Sequence, residues 1–436
     1  MGSMPILDPG STPAACDVAI VGGGMVGASL AVALAPLDVD VALVEAVPPG
    51  SAAQPSFDER TTALSNGSRR ILETLGIWSE IEASATAIRK IHVSDQGRFG
   101  FARIDAAEQG LAAMGYVVPN RALGAALWRR LEAVARLRSF CPGRVSRVSP
   151  APEGVSLEVN DGGGGGAASA AADSGCASVA ATLTAKLVVA ADGIQSAVRE
   201  AFGVKAGSHD YGQSALITTV LPQRFHNHVA YERFTPSGPL ALLPLEGGRC
   251  ALVLTLDHAA ADAAMEWSDA QFLAEVQRRF GFRLGRFLQA GRRAKYPLSL
   301  SRAERTSQGR CAIVGNAAQA LHPVAGMGFN LGLRDVACLA EIIADRRRDP
   351  DFDPGAPDTL ASYDAWRARD RGGVIAFTDT LVRAFSSPLG LVGRARNLGL
   401  LAFDLLPPAK SALSRLSTGA APGARVPKLA RGVALR

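Results

Sequence analysis

Three closely spaced glycines, Gly22, Gly24 and Gly27, follow the apolar segment Asp17-Val-Ala-Ile-Val and open an Ala- and Leu-rich stretch, 25–37. This order constrains the fold more than any other feature of the chain. A short, continuous apolar run that ends in glycine reads as a buried parallel strand. In the G-x-G-x-x-G spacing the first glycine allows a tight turn, the second lets backbone approach a pyrophosphate, and the third permits close helix–strand packing. The helix start then turns unpaired N–H groups toward negative charge. Residues 39–45 read as the next buried strand. Glu45, 18 residues after Gly27, stands at its end, where a carboxylate can bond a ribose hydroxyl. The alternative is a tight glycine turn beside a surface acid. The expected class is α/β, on a doubly wound, Rossmann-like sheet.

That fingerprint does not separate one dinucleotide from another, but two later segments do. Ala190-Ala-Asp192-Gly193, with Ser196 and Arg199, ends a strand expected over 183–191. Gly315-Asn316-Ala-Ala-Gln319 begins a second glycine-rich strand-to-helix turn that runs on to Asp335. FAD needs polar contacts along its ribityl chain. It also needs a helix N-terminus near the flavin pyrimidine, where the reduced ring carries negative charge. The second turn can supply both, so non-covalent FAD is the expected cofactor.

Elsewhere, 67–81 and 120–137 read as helices and 155–159 as a strand. Residues 162–181 are almost all Gly, Ala and Ser and read as a flexible insertion, because they cannot bury enough apolar surface to offset their ordering entropy. From 208 to 286 extended segments such as Cys250-Ala-Leu-Val-Leu-Thr-Leu suggest a β-rich lobe, and everything after Ser362 reads as helical. The expected organisation is an FAD-binding domain over 14–85, 116–205 and 292–345. A substrate domain, of α+β character, would cover 86–115 and 206–291. A C-terminal helical region would cover 346–420.

The net charge of +6 is unevenly placed. Residues 383–436 hold nine Lys/Arg against one acid, leaving 37 basic and 39 acidic residues elsewhere. Nucleic-acid binding would require stacking or readout groups beside the charge, and this tail has only Phe385 and Phe403. No nucleic-acid partner is expected. An anionic lipid surface fits better, and a solvated basic helix fits equally well. No apolar run approaches the roughly 20 residues that span a bilayer. Residues 1–15 lack a basic start followed by an apolar core, so no secretory signal is expected. Six scattered cysteines suit a reducing cytoplasm. The expected location is cytoplasmic, with peripheral contact at the inner membrane face through 383–436. His226 and His228 lack a third ligand nearby in sequence, so no metal is expected.

Taken together, the three glycine segments resemble the aromatic-ring flavoprotein monooxygenases that share the fold of para-hydroxybenzoate hydroxylase. Within them, Gly315-Asn316-Ala-Ala-Gln319, Phe57-Asp-Glu-Arg60-Thr-Thr-Ala-Leu-Ser65 and the segment Arg396 to Lys410 resemble the 2-octaprenyl-6-methoxyphenol hydroxylases of ubiquinone biosynthesis. The resemblance spans roughly residues 15–416. It implies Arg60 near the FAD phosphates, Arg121 near the ribityl chain and Asn316 on a ribityl hydroxyl. His322 and Pro323, then Gly326, Met327 and Gly328, would lie at the flavin edge, with His322 a candidate proton-handling group. Met327 stands where glutamine is common, which removes a hydrogen-bonding group there. The implied chemistry is hydroxylation of a prenylated phenol with O2, with NAD(P)H as electron donor. Other proteins of ubiquinone biosynthesis are the implied protein partners. The four tryptophans at 78, 128, 267 and 366 stand alone, so the W-x-W-x-I-P of flavin halogenases is absent. The remaining alternatives are a sister hydroxylase, another redox enzyme of the fold, or a non-catalytic FAD-stabilised subunit.

Overall fold

The computed structural model describes residues 14–51, 54, 60–161, 179–320, 327–386 and 425–436. Strand β1 (Ala14–Val21) is buried from Val18 on and runs into the glycine turn. Helix α1 (Met25–Leu34) follows, extended by a 3-10 turn to Leu37. Strand β2 (Val41–Val44) is four buried aliphatic residues. Strand β3 (Thr61–Ser65) leads directly into helix α2 (Asn66–Thr74), whose N-cap Ser65 accepts from Ser68 N. The expected helix over 67–81 breaks at Gly76, whose φ of +74° is left-handed, and a separate turn of helix covers Trp78–Ile81. The helix starting at Asn120 ends at Glu132, because Leu137 opens the edge strand β4 (Leu137–Phe140).

Strand β5 (Val179–Ala190) starts inside the expected flexible insertion. Ala181 pairs with Val159, so 179–181 belong to the sheet, and 162–178 lie outside the described residues. Strand β6 (Val229–Thr235) belongs to a second sheet, and β7 (Cys311–Ile313) returns to the first. Two long helices follow, α3 (Met327–Arg346) and α4 (Pro357–Ser386).

The order across the parallel core is β7, β5, β1, β2, β4. Its register matters for everything that follows. Val21 lies opposite Ala190 and Val44, and Ala190 lies opposite Ile313. All these strands run the same way, so the three glycine turns leave one edge of the sheet at the same level. That edge, outside the carboxyl ends of parallel strands, is where such folds bind ligands.

Each face of this sheet has its own cover. Val18, Ile20, Leu43 and Val189 pack under α1 and α3, while Ala19, Val21, Val44 and Val188 pack under the antiparallel hairpin of 143–161. Each fully buried Val, Leu or Ile contributes roughly 1.5–3 kcal/mol relative to exposure.

The second sheet has nine strands, entered at 90–105 and again from 206. Helices His258–Met265 and Asp269–Phe280 seal one of its faces over Leu216, Leu240, Leu252 and Leu254. Residues 294–303, expected in the FAD-binding part, pair with Ala206–Pro222 in this sheet. Their alternation, Tyr296-Pro-Leu298-Ser, suits a sheet with two unlike faces, and the crossover back to β7 comes after residue 303. A small sheet of β3, Gly115–Pro119 and Thr86–Ile88 lies between the two large ones.

Residues 425–436 fold back onto the parallel-sheet side. Leu429 is 2% exposed, and its carbonyl accepts from Thr74 Oγ1 on α2. Arg425 pairs with Glu341 at 2.6 Å on α3 and stacks over Trp366 of α4. Lys428 pairs with Asp345. Residues 387–424 lie outside the described residues. No helix among the described residues is long and apolar enough to cross a membrane.

Replacing Leu429 by Ala removes a side chain that plugs the groove between α2 and α3. The expected loss of stability is about 2–5 kcal/mol, read from urea denaturation of the holoprotein. A midpoint equal to wild type would show that this return segment is not part of the cooperative fold.

Candidate functional site

The first turn is fixed by contacts that leave no room for side chains. Gly22 has φ +105°, and a Cβ there would lie 2.4 Å from the carbonyl oxygen of Ala191. A Cβ on Gly27 would lie 1.9 Å from Gly22 O. The turn therefore presses against the neighbouring turn at Asp192 and against its own helix. Gly24 is the N-cap of α1, without a side-chain cap, and the first turn of α1 holds no acid. Its N–H groups face outward with positive dipole character.

Glu45 is buried. Its Oε2 accepts from Gly23 N at 2.6 Å and its Oε1 from Val47 N at 2.7 Å. A carboxylate has about four acceptor sites, so two bonds leave capacity for a ligand hydroxyl. Glu45 thus braces the glycine turn as well as bordering it.

Asp192 lies two residues past the end of β5, with Oδ2 accepting from Val198 N at 3.2 Å. Its other oxygen, Oδ1, is buried and has no partner among the described residues. Burial pushes this carboxyl above its ordinary range. Such an orphan acceptor is costly unless something donates to it. Next to it Gly193, at φ +91°, faces open space. Arg199 crosses beneath, donating to Ile194 O at 2.9 Å and Ala317 O at 3.0 Å, and so ties this turn to the one at Gly315.

The Gly315 turn hangs from a single carboxylate. Asp335 is fully buried, and its Oδ2 accepts from Gly315 N at 2.9 Å and from Gln319 Nε2 at 2.8 Å. Its Oδ1 accepts from Arg367 Nε at 2.7 Å. Arg367 and Arg334 both pair with Asp370, at 2.5 Å and 2.7 Å. Arg371 donates to Ala318 O at 3.0 Å, and Tyr363 donates to Ile313 O at 3.1 Å. With its backbone fixed this way, Asn316 is the exposed residue among buried neighbours and projects its amide outward.

Helix α3 starts close by. A Cβ on Gly332 would sit 2.8 Å from Val26, so α1 and α3 touch at that glycine. Met327 is buried, and Gly328 has open space where a side chain would be. Asn330 reaches away to β3, accepting from Ser65 N and donating to Ala63 O, both at 2.8 Å. His322, Pro323 and Gly326 lie outside the described residues. Arg60 precedes β3 and lies over the ring of Tyr296 at 4.8 Å. Its carbonyl accepts from Asn120 N at 2.9 Å, which makes it a neighbour of the exposed Arg121 on the next helix.

One edge of the sheet thus gathers Gly22, Gly24, Gly27, Glu45, Asp192, Gly193, Gly315 and Asn316. The second-sheet side gathers Arg60 with Tyr296. Arg367, Asp370, Arg334 and Arg371 went unnoticed in the sequence, although Arg367-x-x-Asp370 has the spacing of a helical ion pair. The two histidines on the loop after residue 222 hold backbone. His226 bonds Leu245 O at 2.9 Å and accepts from His228 N, and His228 bonds Ala87 O at 3.1 Å.

The arrangement fits a long flavin dinucleotide: an uncapped helix start for the pyrophosphate, an acid beside it for a ribose, and an orphaned acceptor with an outward amide along the edge. Comparison with known proteins agrees. The family model described as FAD binding domain matches residues 15–377. A ubiquinone hydroxylase, UbiL, of Rhodospirillum rubrum is 38% identical over 98% of this chain and 95% of its own length. The 3-demethoxyubiquinol 3-hydroxylase of Escherichia coli is 32% identical over 89% of this chain and 94% of its own. The crystal structure of p-nitrophenol 4-monooxygenase PnpA from Pseudomonas putida superposes with a TM-score of 0.73 at 20% identity. It covers 94% of this chain and 99% of that one.

Two substitutions separate holding the turn from touching the ligand. Asp335→Ala removes the acceptor of the buried Arg367 Nε, of Gly315 N and of Gln319 Nε2, leaving Arg367 with Asp370 alone, and should cost about 3–5 kcal/mol, with loss of FAD on gel filtration. Asn316→Ala should leave the melting temperature of the apoprotein unchanged. It should weaken FAD binding by about 2- to 10-fold, the worth of one hydrogen bond, measured by fluorescence quenching. A stable, fully flavinated Asp335→Ala protein would contradict the first expectation.

Proposed function

This chain belongs to the FAD-binding-domain family of hydroxylases, and on that premise we propose that it hydroxylates the ring of a prenylated methoxyphenol on the way to ubiquinone. It is an FAD-dependent monooxygenase. One atom of O2 enters the ring and the other leaves as water, with NAD(P)H as the electron donor.

Bound FAD would supply the redox chemistry that activates O2. The geometry of the described residues supports the following assignment, in which His322, Pro323 and Gly326 rest on the family resemblance alone. Gly22, Gly24 and Gly27 with the N-terminus of α1 would take the pyrophosphate, and Glu45 the adenosine ribose. Asp192, Gly193, Gly315 and Asn316 would line the ribityl side, with Arg60 and Arg121 bordering the cofactor. Met327 and Gly328, with His322, Pro323 and Gly326, would meet the flavin edge. The dipole of the 20-residue α3 would favour negative charge on the reduced ring.

The observation that carries the cofactor reading is the orphaned Asp192 Oδ1 between two turns set at one level. The substrate reading rests on the printed names of the relatives together with chemistry. Oxygen transfer from a flavin requires an electron-rich ring, and hydroxyl and methoxy groups supply one. The half-exposed apolar face of the nine-stranded sheet gives such a ring a water-poor wall, and excluding water favours productive transfer.

A polyprenyl substrate comes from lipid or a carrier, and other ubiquinone-biosynthesis proteins are natural partners. The proposed membrane contact through 383–436 narrows, because Arg425 and Lys428 are already paired with Glu341 and Asp345. Arg394, Arg396, Lys410 and Arg415, which would carry it, lie outside the described residues.

Expression in strains that each lack one ring hydroxylase tests the substrate. Ubiquinone should return only in the strain that accumulates 2-octaprenyl-6-methoxyphenol. Rescue of another strain alone would assign the enzyme to a sister position on the ring, as the name of the Escherichia coli relative suggests. Rescue of none, with flavinated protein present, would remove it from the pathway.

A further inference from the structure

The register of the nine-stranded sheet places one acid among aliphatic residues. Glu232 on β6 lies opposite Val93 on one side and Ala241 on the other. Ala241 lies opposite Val253, and Val253 opposite Ile217. Cross-strand partners point to the same face, so these five residues form one row. The face is the one that helices 258–265 and 269–280 leave uncovered. All five are half-buried.

This row lies toward the cofactor side of the molecule. Two residues along β6, Ala230 is sealed with Ala251 against Ile88 and Val117, with Ala63 of β3 packed alongside. β3 is the strand that Asn330, near the start of α3, holds through Ser65 and Ala63. On the same face Tyr296, opposite Ala215, lies under Arg60. Glu232 therefore sits just beyond the seal that joins this face to the start of α3.

Among the described residues nothing donates to the Glu232 carboxylate. The other charged groups of this face among the described residues are engaged elsewhere. Asp95 pairs with Arg98 at 3.3 Å, Asp257 caps a helix through Ala260 N at 2.8 Å, and Arg60 lies over Tyr296. A carboxylate costs free energy among Val, Ala and Ile, and an apolar residue would serve the wall better. Burial pushes this carboxyl up to about 7. Groups held near neutral pH are suited to exchanging protons with a substrate.

We propose that Glu232 is a catalytic residue that receives the hydroxyl of the phenolic substrate and accepts its proton, a role that rests on the ring-hydroxylation reading above. The phenolic O–H bond breaks, its electron pair stays on oxygen, and Glu232 becomes the neutral acid. The resulting phenolate is a more electron-rich ring. After oxygen has been added, the attacked carbon sheds its hydrogen as a proton, which leaves in the water formed from the second oxygen atom, its C–H electron pair restores the aromatic ring, and the phenolate oxygen recovers the proton from Glu232. The carboxylate is restored and no proton is gained or lost at this group.

The probe is 2-prenyl-6-methoxyphenol with a short prenyl chain, mixed with holoenzyme. In E232Q and E232D, FAD content and melting temperature should match wild type. For E232Q, kcat/KM for hydroxylation should fall by about 10²- to 10⁴-fold, the usual contribution of a positioned base, and E232D should recover part of it. The base acts as carboxylate, so wild-type kcat/KM should rise with pH through about 7, and E232Q should lose that limb. Anaerobic mixing with oxidised holoenzyme, read by the phenolate absorption band, separates this idea from the assigned reaction. Ionisation by wild type but not by E232Q supports the role of Glu232 even if no hydroxylated product forms, in which case the reaction assignment fails alone. Equal ionisation in both, an unchanged pH limb in E232Q, or no phenol binding by wild type overturns the proposal.

Discussion

A single buried carboxylate, that of Asp335, fixes the side of the site farthest from the N-terminal glycines. It gathers Gly315 N, Gln319 Nε2 and Arg367 Nε, and so joins a turn, the helix that follows it and the helix after that. A buried ion pair is weak evidence of stabilisation, since desolvating two charges costs as much as their attraction returns. Its value here is positional. Gly315 and Asn316 project from a turn with a left-handed φ of +58°, and such a turn needs an external reference to hold one conformation. Asp335 supplies it from α3, and Arg367 fixes Asp335 from α4. The network also brings Arg334, Asp370 and Arg371 into one place, with a donor of each of Arg334, Arg367 and Arg371 unpaired among the described residues. Small displacements of either helix would be transmitted directly to Asn316.

What the sequence made legible was local. A buried strand, a glycine turn and a helix start can be read within a few residues, because each follows from periodicity and steric demand. That is why Gly22, Gly24, Gly27, Asp192 and Gly315 can be read as turn residues, and the register of the strands before them sets those turns at one level. Features that depend on register or on distant partners were not legible. Arg367 meets Asp335 across 32 residues, and nothing near either names the other. Glu232 sits in Tyr231-Glu-Arg-Phe, a strand that reads as half polar, and only its pairing with Ala241 and Val93 shows an acid on an apolar face. The strand 294–303, which sequence assigns to the FAD-binding part, pairs with Ala206–Pro222 in the second sheet, because a strand pattern carries no address.

The two sheets divide the work along a physical line. Parallel strands with aliphatic residues on both faces make a buried sheet whose edge holds the turns. The antiparallel sheet has one sealed face and one half-exposed face, so its inward residues can change without unfolding it. On the proposed assignment, cofactor contacts would belong to the turns at the sheet edge, and selection among rings would fall to side chains on the half-exposed face.

The return of residues 425–436 has a consequence for how the protein is made. Thr74 and Leu429 touch across 355 residues of chain. Ribosomes extend chains at about 5–20 residues per second, so the groove, complete only once α3 has been made at Arg346, waits roughly 4–17 seconds for its plug at Leu429. During that interval the apolar floor of the groove is exposed to the cell, and a protein that binds nascent hydrophobic surface has a defined place to act.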